Sequence, residues 1–449
     1  MRCERGADLA DVRPFRGIRY NQDAIGDISL VVAPPYDVID DTGRDSYYNK
    51  HPYNIIRLIL NRPKKAESPD EPYERAASFL DRWLAQRILI RDQAPGIYLY
   101  RQRYLLDSEY TECTGIIARV RVEDFSSGSI LPHEDILPKP FEDRMKLLER
   151  TKANLDFVQA LYSDPAERLK DPIIGETERF PIAQFQASDG VAHDLWQVTD
   201  ERFCEKMRKF FSGRPLYIAD GHHRYTTALT YARRLEESGS ELPEDDPRRF
   251  IMMMIVEMEN PGLAVLPVHR VVLSEAPDPE RLRESVEQWF EVEEVSAPES
   301  ALSGRVAHLL KTLKRSSDVT SFVAYSGDGK LLLLRLRPGV DVTQVIDGEA
   351  SADYKTLDTT VLHRLVLQKG MGLGADGQSV ERDLSFTRDA LEAAEMVQSG
   401  RARMAFFVNS PKVEQVRAIA DNGERMPQKS TYFYPKPCSG VVMNRIDSW

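Results

Sequence analysis

The chain has 449 residues and a formal net charge of −11, and it is 42% hydrophobic and 29% charged, the balance of an ordinary globular protein. That length predicts about three domains or one large composite domain, with enough chain to bury a core without disulfides. The acidic balance disfavours a large nucleic-acid surface, so we expect no nucleic-acid partner. The four cysteines form no CxxC pair, which disfavours a zinc ribbon and a secreted disulfide scaffold and is typical of a reducing cytoplasm.

No stretch of the sequence approaches the roughly 18 apolar residues of a membrane-spanning helix. The longest apolar run, residues 250–256, has the length of a buried strand. The first residues, MRCERGADLADVRPF, contain no apolar segment typical of a signal peptide. We therefore predict a cytoplasmic protein with no membrane partner.

The first part of the chain alternates strands and helices. Residues 29–33 (SLVVA) predict a strand that ends at two prolines. Apolar residues at helical spacing predict a helix over 73–84. Residues 97–106 and 113–122 predict the two strands of a hairpin.

The middle part has the same mixed character. Residues 201–211 predict a helix, and 215–219 predict a short strand that leads directly into a helix beyond residue 224. Residues 250–257 and 263–267 predict a second hairpin around an Asn-Pro-Gly turn.

The last part predicts a hairpin with strands at 322–325 and 331–336, joined by a Gly-Asp-Gly turn. Helices are predicted at 358–367 and 388–398, and a strand at 404–408. Hairpins mixed with helices predict an α+β fold with mixed sheets and interspersed helices.

We expect three regions. Residues 1–128 form an N-terminal α+β region, 129–272 a core with the HE and DGHHR motifs, and 273–449 a C-terminal α+β region that carries KSTYFYPK.

The best chemical signal is the segment LYIADGHHRYTTA, in which a buried strand passes through a glycine turn into a helix. The first N–H groups of a helix and its dipole suit an anion such as phosphate. Gly221 lets a ligand approach the backbone, while His222, His223 and Arg224 add donors. Asp220 is predicted to cap the helix, hold a metal or orient a histidine. A plain N-cap is the weaker interpretation, since two histidines and an arginine exceed what capping needs.

A second signal is His133-Glu134, after Pro132. Glu134 or the adjacent Asp135 is predicted to accept a proton from a substrate hydroxyl or to ligate Mg²⁺. Taken alone, this segment is explained more simply as a solvated acidic turn.

Two further segments are candidates for anion binding. Lys429, Ser430 and Lys436 are predicted to clamp a phosphate or carboxylate, and an extended strand with an aromatic face explains the same residues equally well. His269 and Arg270 stand at a strand end, where a guanidinium fork suits a carboxylate, although a turn would also explain them.

Zinc is not expected. The histidines occur without an HExxH or HxH spacing, and adjacent histidines at a helix start point in different directions. No cysteine lies inside any of these motifs, so a cysteine nucleophile is not predicted either.

Five segments together resemble a bacterial and archaeal family known as DUF1015. They are APPYDV, His133-Glu134, YIADGHHRY, LPVHR and MPQKSTYFYPK, and they run in order along almost the whole chain. The DGHHR segment alone resembles the ParB/sulfiredoxin-like superfamily, which includes free-serine kinases. That second resemblance implies a ParB/sulfiredoxin-like core containing strand–DGHHR–helix. A sulfiredoxin would have a cysteine in this turn, and free-serine kinases place Asp-Gly-His before the arginine, as this chain does.

These resemblances and the residues predict phosphoryl transfer between a nucleotide and a small hydroxyl metabolite, with serine and phosphoserine as the leading pair. Catalysis is assigned to Glu134, His222 and His223. Phosphate and substrate binding is assigned to His133, Gly221, Arg224, His269, Arg270, Lys429, Ser430 and Lys436, with Asp220 as a Mg²⁺ ligand. The expected cofactor is ATP or ADP with Mg²⁺. Two alternatives stay open: a phosphatase acting on a phosphorylated amino acid, and a nucleotide-binding regulator without turnover.

Overall fold

The computed structural model describes residues 9–106, 109–239, 241–274, 276–296, 301–327, 331–373 and 382–447. They form two compact units. The first unit contains the described residues up to Ala264 and those from Pro435 onward, and the second contains Val265–Tyr434. The predicted regions 1–128 and 129–272 both contribute strands to one large sheet of the first unit. Its nine strands pair in mixed parallel and antiparallel fashion, which confirms the α+β prediction.

The strands of the large sheet lie in the order Ile130–Leu131, Leu216–Asp220, Val158–Tyr162, Phe250–Glu257, Glu109–Arg121, Ile97–Leu106, Ala192–Val198 and Ala183–Gln186, with Val12–Arg13 beside Glu109–Arg121. The helices of this unit are Gln22–Ile25, Asp41–Lys50, Ile56–Ile59, Glu71–Ala85, Pro138–Thr151, Lys170–Thr177, Glu201–Phe211 and His222–Glu237. Two short sheets pair Ile18–Tyr20 with Leu89–Arg91, and Ala153–Asn154 with Asn444–Arg445.

The main core of the first unit lies on one face of the large sheet. Alternate strand residues such as Val158 and Ile218 pack there against apolar side chains of Glu201–Phe211 and His222–Glu237. The helices bury one face because their apolar residues recur every three or four positions, as with Phe203 and Met207. This packing fixes the position of the helix His222–Glu237 relative to the end of the strand Leu216–Asp220.

The second unit contains a six-stranded sheet in the order Phe290–Val295, Leu331–Leu336, Ser321–Tyr325, Met404–Val408, His269–Val272 and Leu384–Thr387. Its helices are Pro279–Val286, Leu302–Arg315, Val342–Val345, Ala352–Lys355, Asp358–Val361 with a π-helical continuation over Leu362–Gly370, Ala390–Gln398 and Val413–Asp421. Apolar clusters on the two faces of the sheet bury different helices, one including Leu365 and the other Leu309. A short strand, Ala264–Leu266, pairs with Tyr432–Tyr434.

Two predicted elements are wrong. Residues 29–33 form no strand, because the chain turns in a 3-10 helix over Ile28–Leu30, where the Asp27 side chain accepts a hydrogen bond from the Ser29 N–H. Residues 250–257 and 263–267 form no hairpin, because Phe250–Glu257 is a central strand whose two edges pair with Glu109–Arg121 and Val158–Tyr162.

The hairpins at 97–121 and 321–336 and the strand–turn–helix around Gly221 are confirmed. The Gly-Asp-Gly turn itself lies partly outside the described residues. No helix within the described part of the chain is long and apolar enough to cross a membrane.

Candidate active site

Two parallel neighbouring strands bring the HE and DGHHR motifs together. Ile130–Leu131 pairs with Leu216–Asp220, with Leu216 opposite Ile130 and Tyr217 opposite Leu131. Because parallel strands end at the same edge of a sheet, the loop that carries Glu134 follows beside the helix that begins at His222. Two of the predicted motifs therefore share one site.

Gly221 connects the strand to the helix in a conformation that favours glycine. Its φ is +90°, in the left-handed region. A Cβ at this position would lie 3.0 Å from Nε of Arg224 and 3.1 Å from its Cζ. Glycine is thus required both by the backbone angle and by the guanidinium packed against it.

Asp220 lies between two cations. Its Oδ2 accepts a hydrogen bond from Nη2 of Arg224 at 2.6 Å, and its Oδ1 is paired with Nζ of Lys436. Burial favours the neutral acid, but the charges of Lys436 and Arg224 outweigh burial and hold the pKa of Asp220 well below its usual range. The predicted Lys436 therefore joins the site through a carboxylate, and the three groups together carry one net positive charge.

Arg224 is buried and held from several sides. Besides Asp220, its Nη1 donates to the carbonyl oxygen of Phe157. Burial alone would lower its pKa, but Asp220, Asp37 and Asp156 raise it above the ordinary arginine value. Its Nε has no hydrogen-bond acceptor among the described residues. The guanidinium is a fixed positive charge at the start of the helix.

The two histidines of the motif hold the neighbouring loop. Nε2 of His222 accepts hydrogen bonds from the backbone N–H of His133 at 3.2 Å and of Glu134 at 3.3 Å. Nε2 of His223 accepts from the N–H of Leu137 at 2.8 Å. An acceptor nitrogen carries no proton, so each ring, when neutral, carries its proton on Nδ1. The contacts position the loop of Glu134 on the helix start.

His133 is also fixed by the strand that precedes the motif. Its Nδ1 lies 2.7 Å from the carbonyl oxygen of Ile218, so that nitrogen donates. Its ring meets the ring of His222 edge-on, with centroids 4.7 Å apart. The predicted binding residue His133 therefore belongs to the same histidine cluster, and it is buried.

The structure adds residues that the sequence did not single out as central. The ring of Tyr36, from the APPYDV segment, lies under the Arg144 guanidinium at 3.9 Å and under that of Arg224 at 5.9 Å. Burial raises the pKa of Tyr36 to about 12. Asp156 accepts a hydrogen bond from the Ser439 hydroxyl, and burial raises its pKa. These groups extend the site by residues that are distant in sequence.

A small cavity of about 50 Å³ adjoins this cluster, lined by Arg144, Asp156, Arg224 and Thr227 among others. That volume holds one or two water molecules, since a water occupies about 30 Å³ in the liquid. The cavity therefore has room for water beside Arg224 and Asp156.

The remaining predicted residues lie in the second unit. Arg270 is fully buried, and its Nε lies 3.4 Å from Nε2 of His363. Burial, with Arg270 beside it, lowers the pKa of His269 to about 4. Ser430 donates to the carbonyl oxygen of Pro427, and Lys429 has a left-handed backbone with φ of 56°. Their expected role in the same pocket as Gly221 stays a prediction.

A Mg²⁺ ligand role for Asp220 does not fit its contacts, because each of its oxygens is already bound to a cationic side chain. Within the described ranges, no group of three or more His, Cys, Asp or Glu side chains is arranged to hold a metal. Magnesium in such sites is often held mainly by substrate phosphates, so any role for it here would depend on the nucleotide.

Comparison with curated proteins gives no match. Among solved structures, the chain is similar to a free serine kinase in complex with AMP, at 13% identity and a TM-score of 0.34 over 70% of this chain and 88% of that one. A conserved hypothetical protein from Pyrococcus furiosus matches at 13% identity and 0.32, over 71% and 92%. SbnI from Staphylococcus aureus, truncated at its C-terminus, matches at 12% and 0.34, over 72% and 85%.

The family comparison is more extensive. The model of the family described as "Protein of unknown function (DUF1015)" matches residues 12–360, which is well over half of the 449 residues. The match includes the APPYDV, HE, DGHHR and LPVHR segments, and so most of the side chains gathered around Gly221. The chain belongs to the DUF1015 family.

Proposed function

We propose that the chain transfers a phosphoryl group between a nucleotide and the hydroxyl of a small metabolite, in the cytoplasm, with serine and phosphoserine as the leading candidates. The observation that supports this most is the juxtaposition of an acidic loop and an anion-type helix start: the N–H of Glu134 lies 3.3 Å from Nε2 of His222. The serine lead comes from the resemblance of DGHHR to free-serine kinases.

The helix start supplies the phosphate site. Its first-turn N–H groups have no acceptor within the helix, and the dipole is positive there. Arg224 and Lys436, offset by Asp220, add one net positive charge at the same place. Phosphoryl transfer is mainly positioning and charge stabilisation, so a fixed, partly buried positive end of this kind suits it.

Glu134 supplies the base. In the proposed step its carboxylate takes the proton of the substrate hydroxyl, the hydroxyl oxygen bonds to the terminal phosphorus, and the bond from that phosphorus to the bridging oxygen breaks. ATP then leaves as ADP, or ADP as AMP. The nucleotide is proposed to bring Mg²⁺ with its phosphates, and no protein ligand for that ion is assigned.

In this scheme His222 and His223 position the loop that carries Glu134 and do not transfer protons themselves. Nε2 of both His222 and His223 is engaged with backbone N–H groups of the loop 133–137. A histidine that served as proton acceptor through Nε2 would have to release the loop that carries Glu134. This favours transfer to a metabolite hydroxyl over hydrolysis with a histidine as the acid or base.

The experiment is a phosphorus NMR assay with the full chain and Mg²⁺. Serine is supplied with ATP or with ADP, and O-phosphoserine with ADP, with AMP or with no nucleotide. We expect nucleotide-dependent transfer that falls at least about a hundredfold in Glu134→Gln. Glu142→Gln is the matched control, since Glu142 is exposed on the adjacent helix Pro138–Thr151.

Phosphate release without nucleotide would replace the proposal by a phosphatase. Tight nucleotide binding with no product would identify a regulator. Full activity of Glu134→Gln would remove Glu134 as the base.

A further inference from the structure

A second positively charged site lies in the first unit, separate in sequence from the DGHHR helix. It is a cleft of about 210 Å³ lined by four arginines, Arg16, Arg91, Arg119 and Arg445, together with Phe15 and Asn444 among others. We call it the arginine cleft. Among the described residues that line it, none is acidic. This is unexpected in a chain whose net charge is −11.

Three of the four arginines lie in different paired strands, and Arg16 lies in the short connection before the strand Ile18–Tyr20. Arg91 ends the strand Leu89–Arg91, which pairs with Ile18–Tyr20, and Arg119 lies in the long strand Glu109–Arg121. Arg445 lies in Asn444–Arg445, paired with Ala153–Asn154. Side chains based on paired strands are held in place more firmly than those on free loops. The cleft is therefore a preformed arrangement.

Carboxylate and carbonyl groups beside the cleft bind two of its arginines, Arg445 and Arg16. Arg445 is ion-paired with Asp81 at 3.0 Å and with Asp447 at 2.6 Å. Nε of Arg16 donates to the backbone carbonyl oxygen of Asp92 at 2.9 Å, while the carboxylate of Asp92 is paired with Arg19. The Arg119 guanidinium stacks on the ring of Phe250 at 4.8 Å.

Burial and neighbouring positive charges lower the pKa of two of the cleft arginines, Arg91 and Arg119, whereas the hydrogen bond to Asp447 raises the pKa of Arg445. Burial lowers the pKa of Arg91, and the charges of Arg16 and Arg445 lower it further against the opposing effect of Asp447. Burial and Arg13 lower the pKa of Arg119 to about 10, with Asp11 and Asp245 opposing. Like charges gathered in this way cost folding free energy, and a bound anion would offset that cost.

We propose that the arginine cleft binds a small phosphate-containing anion, with inorganic phosphate and pyrophosphate as the simplest forms. Guanidinium groups match phosphate oxygens in two-pronged hydrogen bonds. The 210 Å³ volume equals about seven water molecules and lies below the roughly 300 Å³ at which sites for larger organic ligands begin. The size therefore favours a phosphate or diphosphate over a whole nucleotide. The inference does not depend on the function proposed above.

The test is isothermal titration calorimetry of the full chain with inorganic phosphate, pyrophosphate and ATP, together with the thermal midpoint at each concentration. We expect the dissociation constant of pyrophosphate to rise at least tenfold in Arg91→Gln/Arg119→Gln. The control is Arg202→Gln/Arg208→Gln, which removes the same charge from exposed positions of the helix Glu201–Phe211. It should bind as the native chain does.

A second measurement uses the native chain, so that its result does not depend on whether the double variant folds. Phenylglyoxal modifies arginines, and peptide mapping reports each one separately. Pyrophosphate should slow modification of Arg16, Arg91, Arg119 and Arg445 and leave Arg202 unchanged. Equal binding by both double variants, no protection at the cleft, or no binding of phosphate or pyrophosphate would each overturn the proposal. ATP binding that persists in the cleft variant belongs to another site, and tighter binding of ATP than pyrophosphate at the cleft would contradict the size argument.

Discussion

Asp220 is the residue on which the charges of the candidate active site depend. It is bound by Arg224 and by Lys436, and all three side chains are largely buried. Removing one member of a buried ion pair leaves the partners' charge uncompensated. We expect Asp220→Asn to lower the free energy of unfolding by about 3 kcal/mol or more, measured by urea unfolding at pH 7. Glu205→Gln, which removes only a solvent-accessible pair with Arg208, should cost far less.

The ion pairs of Asp220 also make the stability of the fold depend on pH. The folded pKa of Asp220 lies below its unfolded value of 3.8, because Lys436 and Arg224 outweigh burial. Its contribution is therefore complete above about pH 4 and is lost as the pH falls further. The stability difference between the native chain and Asp220→Asn should shrink below pH 4. A difference that stays constant into acid would show that the ion pairs do not form as described.

Asp358 lies at the start of a helix in the second unit, and its pKa is shifted in the opposite direction from that of Asp220. Burial raises its pKa from 3.8 to about 6, although its side chain accepts a hydrogen bond from the Thr320 hydroxyl at 2.8 Å. The protonated form is favoured in the fold, so its stabilisation is complete below about pH 4 and is lost as the pH rises through 6.

Urea unfolding from pH 4 to 7.5 tests the titration of Asp358. The native chain should lose up to about 3 kcal/mol over this range relative to Asp358→Asn. The exposed Asp318→Asn should follow the native curve. Parallel curves for the native chain and Asp358→Asn would contradict the raised pKa.

At the residue scale, the sequence locates what is local and misses what is distant. DGHHR is visible because strand, glycine and donors are contiguous, and its strand–turn–helix is confirmed. Asp156 and Ser439 meet although 283 positions separate them. Neither stands in a pattern of its own, so only the folded chain reveals the contact. The charge of Lys436 makes it a candidate from the sequence alone, but no local pattern indicates that it pairs with Asp220.

At the scale of elements, the junction between the strand Leu216–Asp220 and the helix His222–Glu237 depends on Gly221. The cost of its backbone angle can be measured separately from the cost of its contact with Arg224. Gly221 and Gly239 have nearly the same φ, +90° and +86°, but a Cβ at Gly239 meets nothing within 4 Å while one at Gly221 meets Arg224. We expect Gly239→Ala to cost about 1 kcal/mol for the backbone angle alone. Gly221→Ala should cost more, because the guanidinium must also move.

The excess cost of Gly221→Ala over Gly239→Ala, measured by thermal and urea unfolding, reports the contact with Arg224. Combining Gly221→Ala with Arg224→Ala should remove that excess. If the two glycine variants lose equal stability, the close approach of Arg224 is not present.

Helices and strands whose apolar residues recur with a clear period could be predicted from the sequence. Elements whose conformation or partners depend on distant segments could not. The helix Glu71–Ala85 follows from apolar residues at helical spacing. Residues 29–33 are apolar enough for a strand, but Asp27 and the following prolines turn the chain instead. Residues 250–257 form the expected strand with unexpected partners, since a run that is apolar on both faces does not specify its neighbours.

At the scale of the molecule, the first unit is completed by the end of the chain. Residues 435–447 return to it after the whole second unit. Gln102 donates to the carbonyl oxygen of Lys436 at 2.9 Å, Ser439 pairs with Ala33, and Met443 pairs with Ile18. The sequence could not show this closure, because order along the chain does not determine which segments pair.

A chain ending at Tyr434 would lose these contacts together with the Lys436–Asp220 ion pair. We expect hydrogen exchange to accelerate in the segments 15–35 and 97–102, because their partners are removed and their backbone groups become accessible. A synthetic peptide of residues 435–449, added in excess, should restore the protection by mass action. Since the second unit contains none of the deleted residues, strands such as Ser321–Tyr325 serve as the internal reference. Unchanged exchange at 97–102 in the shortened chain would show that the first unit does not need its C-terminal segment.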